Sequence, residues 1–261
     1  MPKAAQHKTN RDMDKPSEDD LHQSPSRESV GAMFDRIAPR YDFLNRLLSL
    51  RRDVAWRRRV ADFLPEHSGQ SVLDIATGTG DLLLSLFDSS DRISAAIGVD
   101  LAPTMLELGR RKVAEHQLDD RVLLVRADAL RLPFADRSFD AVTIAFGIRN
   151  MTDVPQALTE MHRVLKPGGK VLILEFSMPV NPLVRRLYPL HLRGLLPLVG
   201  AMISGDSYAY RYLNRTVETF PYGERFCTLM REAGFTQVAA VSLTFGIATI
   251  YHGCKPREDG E

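Results

Sequence analysis

The sequence predicts an α/β protein: a doubly wound, mainly parallel seven-stranded sheet with an N-terminal helical cap and a helical insertion before the last strands. Three observations carry this expectation. Short runs of Val, Ile and Leu alternate with helical stretches from residue 71 to residue 176, which implies right-handed βαβ crossovers and strands covered on both faces. A glycine-rich turn follows the first of those runs. The chain of 261 residues, 44% hydrophobic and 26% charged, is also long enough to bury one sizeable core.

Residues 1–28 mix both charges with Pro, Ser and Gln and offer little apolar surface to offset the entropy of ordering, which predicts a disordered tail. The domain is expected over 29–256, with 257–261 as a second tail. Its first part, 29–64, places Phe34, Ile37, Tyr41, Leu44, Leu47 and Leu48 at helical spacing. Eight arginines face three aspartates between 35 and 59, the pattern of a basic amphipathic cap. Strands follow at 71–76, 95–100, 121–127, 139–146 and 170–176. Helices are expected near 80–88, 102–116 and 153–165, with a short helical turn at 129–132; the 153–165 helix stops at Lys166-Pro167-Gly168-Gly169. From 178 to 222 the alternation gives way to a proline-punctuated insertion that fits no strand. A helix over 223–233, closed by Gly234, and β runs at 235–244 and 247–254 complete the sheet as an antiparallel hairpin on its edge.

Thirty-four basic against 33 acidic side chains leave a net charge of +1, so overall charge favours neither nucleic acid nor a strongly acidic partner. Cys227 and Cys254 lack CxxC spacing and the seven histidines show no ligand rhythm, which predicts a reduced, cytosolic protein without structural metal. No stretch offers the roughly 18 apolar residues of a spanning helix, and the N-terminus lacks a signal-peptide core.

The sharpest chemical signal is DIATGTGD at 74–81, where a strand ends in Gly78-Thr79-Gly80 and a helix follows. Glycines there let a ligand approach the backbone, and the helix start presents free N–H groups. Leu83 stands where a dinucleotide-binding GxGxxG loop would carry its third glycine, which weakens a pyrophosphate reading. Asp100, alone at the tip of the second strand, can accept two hydrogen bonds from ribose hydroxyls. Structurally, Asp100 is equally a helix N-cap and the glycines are turn formers; the two motifs in this order favour a nucleoside site. Asp128-Ala129 offers a carboxylate to an adenine amino group and a small side chain beside the ring, although such an Asp is commonly a turn residue. AFGIRNM at 145–151 then puts Arg149 and Asn150 at the mouth of the site, where a plain surface salt bridge is the competing role of Arg149.

GAMFDRIAPRYDFLNRLLSL (31–50), DIATGTGD, LPFADRSFDAVTIAFGIRNM, EMHRVLKPGGKVLILEFSMP (160–179), GDSYAYRYLNRTVETFP (205–221) and LTFGIATIYHGCKP (243–256) together resemble the ubiquinone/menaquinone biosynthesis C-methyltransferases, over about residues 30–256. DIATGTGD and LKPGG are shared widely among class I methyltransferases; FDRIAPRYD, FGIRN and the 205–221 run are more specific. The resemblance implies a Rossmann-like methyltransferase fold and an S-adenosyl-L-methionine pocket made by Thr79, Asp100 and the Asp128-Ala129 pair, to which the DIATGTGD turn adds Asp74 and Gly78 as expected cofactor contacts. It implies catalytic roles for Arg149 and Asn150, and a polyprenylated quinol, benzoquinol or naphthoquinol, as methyl acceptor. A homodimer is allowed, and peripheral contact with the inner face of a membrane is expected from the composition of the insertion. The chain departs from the pattern at Ala145, where relatives often carry serine, and at His191, where an aromatic is expected.

Methylating a ring carbon needs an electron-rich ring, which loss of one phenolic proton supplies. Ionising a group with a Tyr-like pKa near 10 at pH 7 costs about 4 kcal/mol. A guanidinium about 4 Å away recovers about 4 kcal/mol at an effective dielectric of 20, so Arg149 is the expected phenolate stabiliser. A water held by Asn150, Tyr41 or His191 would take the proton. The 181–203 segment carries three arginines, many leucines and no acid. That composition suits a membrane surface or a lipid groove, and equally a buried hairpin with Arg185, Arg186 and Arg193 on its wet face. Two rival functions stand beside this reading. A nucleic-acid methyltransferase draws on Arg51, Arg52 and Arg57 to Arg59 but lacks the charge and an NPPY-type signature. A non-enzymatic scaffold is opposed by the intact Thr79, Asp100 and Asp128.

Overall fold

The computed structural model describes residues 31, 34–36, 38, 42, 46, 49, 51–179, 215, 216 and 219–257. The expected tail at 1–28 and the 180–214 part of the insertion lie outside them, as do Tyr41 and His191. Helices α1 (Arg52–Val60), α2 (Asp81–Ser89), α3 (Pro103–Glu115), α4 (Val154–Val164) and α5 (Glu224–Glu232) accompany strands β1 (Gln70–Ile75), β2 (Ile93–Asp100), β3 (Val122–Arg126), β4 (Phe139–Ala145), β5 (Leu165–Phe176), β6 (Thr236–Leu243) and β7 (Ala248–Cys254). Before α1, the described residues from Gly31 to Arg46 are helical, in line with the expected cap. No helix among the described residues is long and apolar enough to cross a membrane.

The strand order is β3-β2-β1-β4-β5-β7-β6. β1 to β5 run parallel, and β7 is antiparallel to both β5 and β6. The seven-stranded, doubly wound sheet predicted from the sequence is therefore observed. Successive strand residues point to opposite faces, so each central strand feeds two cores. Val72 and Leu172 join Trp56, Leu83 and Leu86 on the α1–α2–α3 side, while Leu73 and Ile173 join Leu158, Met161 and Phe226 on the α4–α5 side. Burying each such side chain contributes about 1.5–3 kcal/mol, which is why the strands read as apolar runs. β6, at the edge, has a largely half-exposed or exposed pattern instead.

Two local expectations are corrected. The 129–132 stretch is not helical: Asp128 and Arg131 form an isolated antiparallel bridge, and the Leu130 N–H donates to Asp128 Oδ1 at 2.9 Å. The Asp side chain competes successfully for the backbone donor a helix would use. The 153–165 helix ends close to where expected, but the following strand begins at Leu165 rather than at Lys170, so Lys166-Pro167-Gly168-Gly169 lies within it. Helix α4 ends at Val164 and β5 starts at Leu165, with Phe139 paired to Leu165 and Ala141 to Lys170, so the Pro-Gly-Gly sequence forms an irregularity inside the strand.

Candidate active site

The site begins where β1 runs out. Ala76 has φ 49°, Gly78 56° and Gly80 79°, so the chain turns through left-handed conformations before α2 starts at Asp81. Glycine accepts these angles without cost, whereas Ala76 holds one under strain. Helix α3 supports the loop from the side. A Cβ on Gly109 would lie 3.2 Å from the Thr79 carbonyl carbon and 2.7 Å from Leu124 Cδ1. The close-packing glycine missing at Leu83 is thus supplied by the next helix. The Asp100 carboxylate closes the turn from β2, its Oδ2 accepting from the Gly78 N–H at 2.8 Å and its Oδ1 from the Ala102 N–H at 2.9 Å. Burial raises the Asp100 pKa, against the pull of those backbone donors. A carboxylate has about four acceptor positions, so it retains capacity to accept from a ribose hydroxyl.

Across the sheet, β4 ends at Ala145 and Phe146 takes φ 58°, which turns the chain into the short helix Ile148–Asn150. The Phe146 ring lies 4.5 Å from Phe176 and 6.3 Å from Trp56 of α1. Arg149 is not an open surface cation: its side chain is 5% exposed, and its Nη1 donates to Glu175 Oε1 at 2.5 Å. Its guanidinium sits 5.3 Å from the centroid of the Phe176 ring. Glu175 is fully buried at the end of β5, and burial raises its pKa while Arg149 opposes the rise. Arg149 Nε is buried without a hydrogen-bond partner among the described residues. The full positive charge assumed in the sequence argument is therefore half of a buried ion pair.

One cavity joins these two halves at the carboxyl ends of the strands. Its wall includes Gly78, Asp100, Asp128 and Ala129 on one side and Ala145, Gly147, Asn150 and Met151 on the other, with Gly31 and Phe34 from the cap. Of the predicted residues, Gly78, Asp100, Asp128, Ala129 and Asn150 line it; Asp74, Thr79 and Arg149 do not. Asp74 is buried under the loop and accepts from Thr143 Oγ1 at 2.6 Å; burial pushes its pKa up to about 7.

Thr79 belongs to a polar cluster that the sequence reading missed. Its hydroxyl donates to Asp42 at 2.7 Å, and Lys112 Nζ lies 2.5 Å from Asp42 and 2.5 Å from Asp81. Arg57 adjoins the cluster, 2.5 Å from Asp53 and 4.0 Å from Asp81. Burial pushes the Asp81 carboxyl up, but Arg57 and Lys112 more than offset it and hold the group below the usual range. In the sequence Lys112 is simply the last cation of the run Arg110-Arg111-Lys112, and nothing local marks it. Glu175 was hidden within an apolar strand.

Among known proteins, a model of the ubiE/COQ5 methyltransferase family matches residues 22–255. Demethylmenaquinone methyltransferase of Thermus thermophilus is 48% identical over 86% of this chain and 100% of its own. Ubiquinone/menaquinone biosynthesis C-methyltransferase UbiE of a Geobacter species is 46% identical over 89% and 98%. Among solved structures, a putative S-adenosyl-L-methionine-dependent methyltransferase from Methanococcus maripaludis superposes with a TM-score of 0.61 at 21% identity, covering 87% of this chain and 96% of that one. That likeness extends to the fold alone. The glycine turn, the strand-tip carboxylate and the cavity between them thus sit in a chain that belongs to the ubiE/COQ5 methyltransferase family and is an S-adenosylmethionine-dependent C-methyltransferase.

Proposed function

We propose that the chain methylates the ring carbon of a polyprenylated quinol, converting demethylmenaquinol to menaquinol, the corresponding 2-polyprenyl-6-methoxy-1,4-benzoquinol to its methylated product, or both. The observation that carries this reading is the division of one cavity into a carboxylate-bearing half and an apolar half that ends at Asn150. The names of the Thermus and Geobacter relatives supply the acceptor class. When bound, S-adenosylmethionine supplies the electrophilic methyl. Asp100 and Asp128 hold its ribose and adenine, and Gly78 keeps the wall close; Asp74 and Thr79 act from behind by shaping the loop.

On the acceptor side, Arg149 and Glu175 work as a unit. With both ionised they cancel, and little field reaches the quinol. Moving the phenolic proton through a water held by Asn150 onto Glu175, which like Arg149 lies behind the cavity wall, would leave the guanidinium uncancelled, so that its field reaches the quinolate, and would conserve the charge of the whole group. The raised pKa of Glu175 brings it nearer the working pH of a proton acceptor. The rest of catalysis is positioning, which makes a two-body displacement an oriented one. In the same reading the 178–222 insertion holds the polyprenyl tail at the cytoplasmic face of a membrane. Absence of binding to anionic vesicles at low salt would remove that part. The decisive assay supplies purified enzyme with isotopically labelled S-adenosylmethionine and each reduced quinol in detergent. Label on a ring carbon of either quinol is expected, and no transfer to either would overturn the proposal.

A further inference from the structure

We propose that Lys112 is a positioning residue that holds the N-terminal helical cap against the glycine loop and so ties cap closure to occupancy of the cavity. The inference rests on the cavity taking S-adenosylmethionine and is independent of which acceptor is methylated. The Lys112 ammonium places Asp42, Asp81 and Thr79 Oγ1 at 2.5, 2.5 and 3.0 Å, and Thr79 in turn donates to Asp42. An ammonium has three donors, and here each meets a different element: the cap, the head of α2 and the loop.

The charges make this arrangement directional. Among the described residues, Lys112 is the cation that bridges Asp42 and Asp81, at 2.5 Å from each, whereas Arg57 pairs with Asp53 at 2.5 Å and stands 4.0 Å from Asp81, and Arg46 acts on Asp81 only through its charge. Without Lys112, Asp42 of the cap loses its bridge to Asp81 and meets that carboxylate with no cation between them, which loosens the cap on the loop. Lys112, Asp42 and Asp81 are 23%, 25% and 18% exposed, so water screens the contact only in part. A second tie, from the Thr104 N–H to Asp35 Oδ1 at 2.9 Å, fixes the cap nearer its start. A ligand in the cavity meets the cap through Gly31 and Phe34 and the loop through Gly78. It therefore binds best to the state in which cap and loop are together, and anything that favours this state raises apparent affinity by the same factor.

The test uses the full chain with S-adenosylhomocysteine as the probe, read by calorimetry, stopped-flow release and hydrogen exchange. Lys112→Met should weaken affinity about tenfold, mainly through faster release, within the usual range of coupling between linked sites. Cap peptides over 31–46 should exchange faster and lose most of their ligand-induced protection, while β4 and β5 peptides stay as in the parent protein. Lys112→Arg should restore most of both. Adding Asp42→Asn to Lys112→Met should recover part of the loss, because it removes the repulsion. If Lys112→Met does not fold, Asp42→Asn alone is read for the same loss of cap protection. Unchanged release and unchanged cap protection in Lys112→Met, or losses from the two substitutions that simply add, would overturn the proposal. None of these readouts involves a quinol, so failure of the acceptor assignment leaves them untouched.

Discussion

The two halves of the cavity are built on opposite electrostatic plans. At the ends of β1, β2 and β3, the Asp100 carboxylate opens to the cavity and is held by backbone N–H groups of Gly78 and Ala102, so it is rigid yet keeps acceptor capacity. At the ends of β4 and β5, the charge is a self-contained Arg149–Glu175 pair packed on Phe176. The first half is ready to meet a polar ligand without rearrangement. In the proposed reaction the second must change its protonation before its charge is felt. A methyltransferase that handles a polar cofactor and an apolar ring has use for both.

The largest expected effect breaks the second half. Arg149→Met leaves Glu175 buried without its partner and should cost about 3–5 kcal/mol of stability, measured by urea unfolding at pH 7. Arg149→Met with Glu175→Gln should recover most of that loss, because no charge is stranded. If the double variant is no more stable than the single one, the pair is not the unit described. Turnover separates the roles further. Glu175→Gln should shift the acidic limb of the pH–rate profile, whereas a purely structural Glu175 would lower the rate equally at every pH.

The next effect probes the buried floor of the first half. Asp74 has its folded pKa raised from 3.8 to about 7, so the protonated form is favoured by folding. Its contribution is complete below about pH 4 and is lost as pH rises towards 7, a difference of as much as about 4 kcal/mol. Asp74→Asn keeps an acceptor for the Thr143 hydroxyl but cannot ionise. It should be more stable than the parent at pH 8, with the gap closing by about pH 4, as chemical denaturation across pH can show. A gap independent of pH would mean that Asp74 does not titrate in the fold.

The sheet was legible because strands buried on both faces must be apolar throughout, and SVLDIA and KVLILEF are. Its failures are equally physical. Lys166-Pro167-Gly168-Gly169 has the residues of a break, but pairing of Leu165 with Phe139 carries the strand through it. Asp100 could be read because strand tip and glycine loop are fixed by the fold's connectivity. The Arg149–Glu175 pair could not, since it depends on the lateral pairing of β4 with β5. The Asp42–Lys112 contact joins residues 70 positions apart on two helices, and neither shows any local pattern that would announce the other.

Asp100→Ala is the smallest of the three effects and the one that bears most directly on the first half. The carboxylate does two jobs in the structure: it fixes the Gly78 and Ala102 N–H groups and it faces the cavity. Hydrogen bonds to a charged acceptor are worth about 1.5–3 kcal/mol each, so S-adenosylhomocysteine affinity should fall by about 2–3 kcal/mol. Stability should fall less, since burial of this carboxylate already works against folding while the backbone donors work for it. Asp100→Asn divides the two jobs. Its amide oxygen can accept from only one of the two backbone groups at a time, and its NH2 offers a donor where the other oxygen stood. A ribose hydroxyl can turn to accept that donor, whereas a backbone N–H cannot. Asp100→Asn should therefore bind S-adenosylhomocysteine more tightly than Asp100→Ala while its glycine-loop amides exchange nearly as fast. Equal affinity in both variants would place the whole value of Asp100 in holding the loop, and the contrast between an open carboxylate in one half and a closed ion pair in the other would then fail.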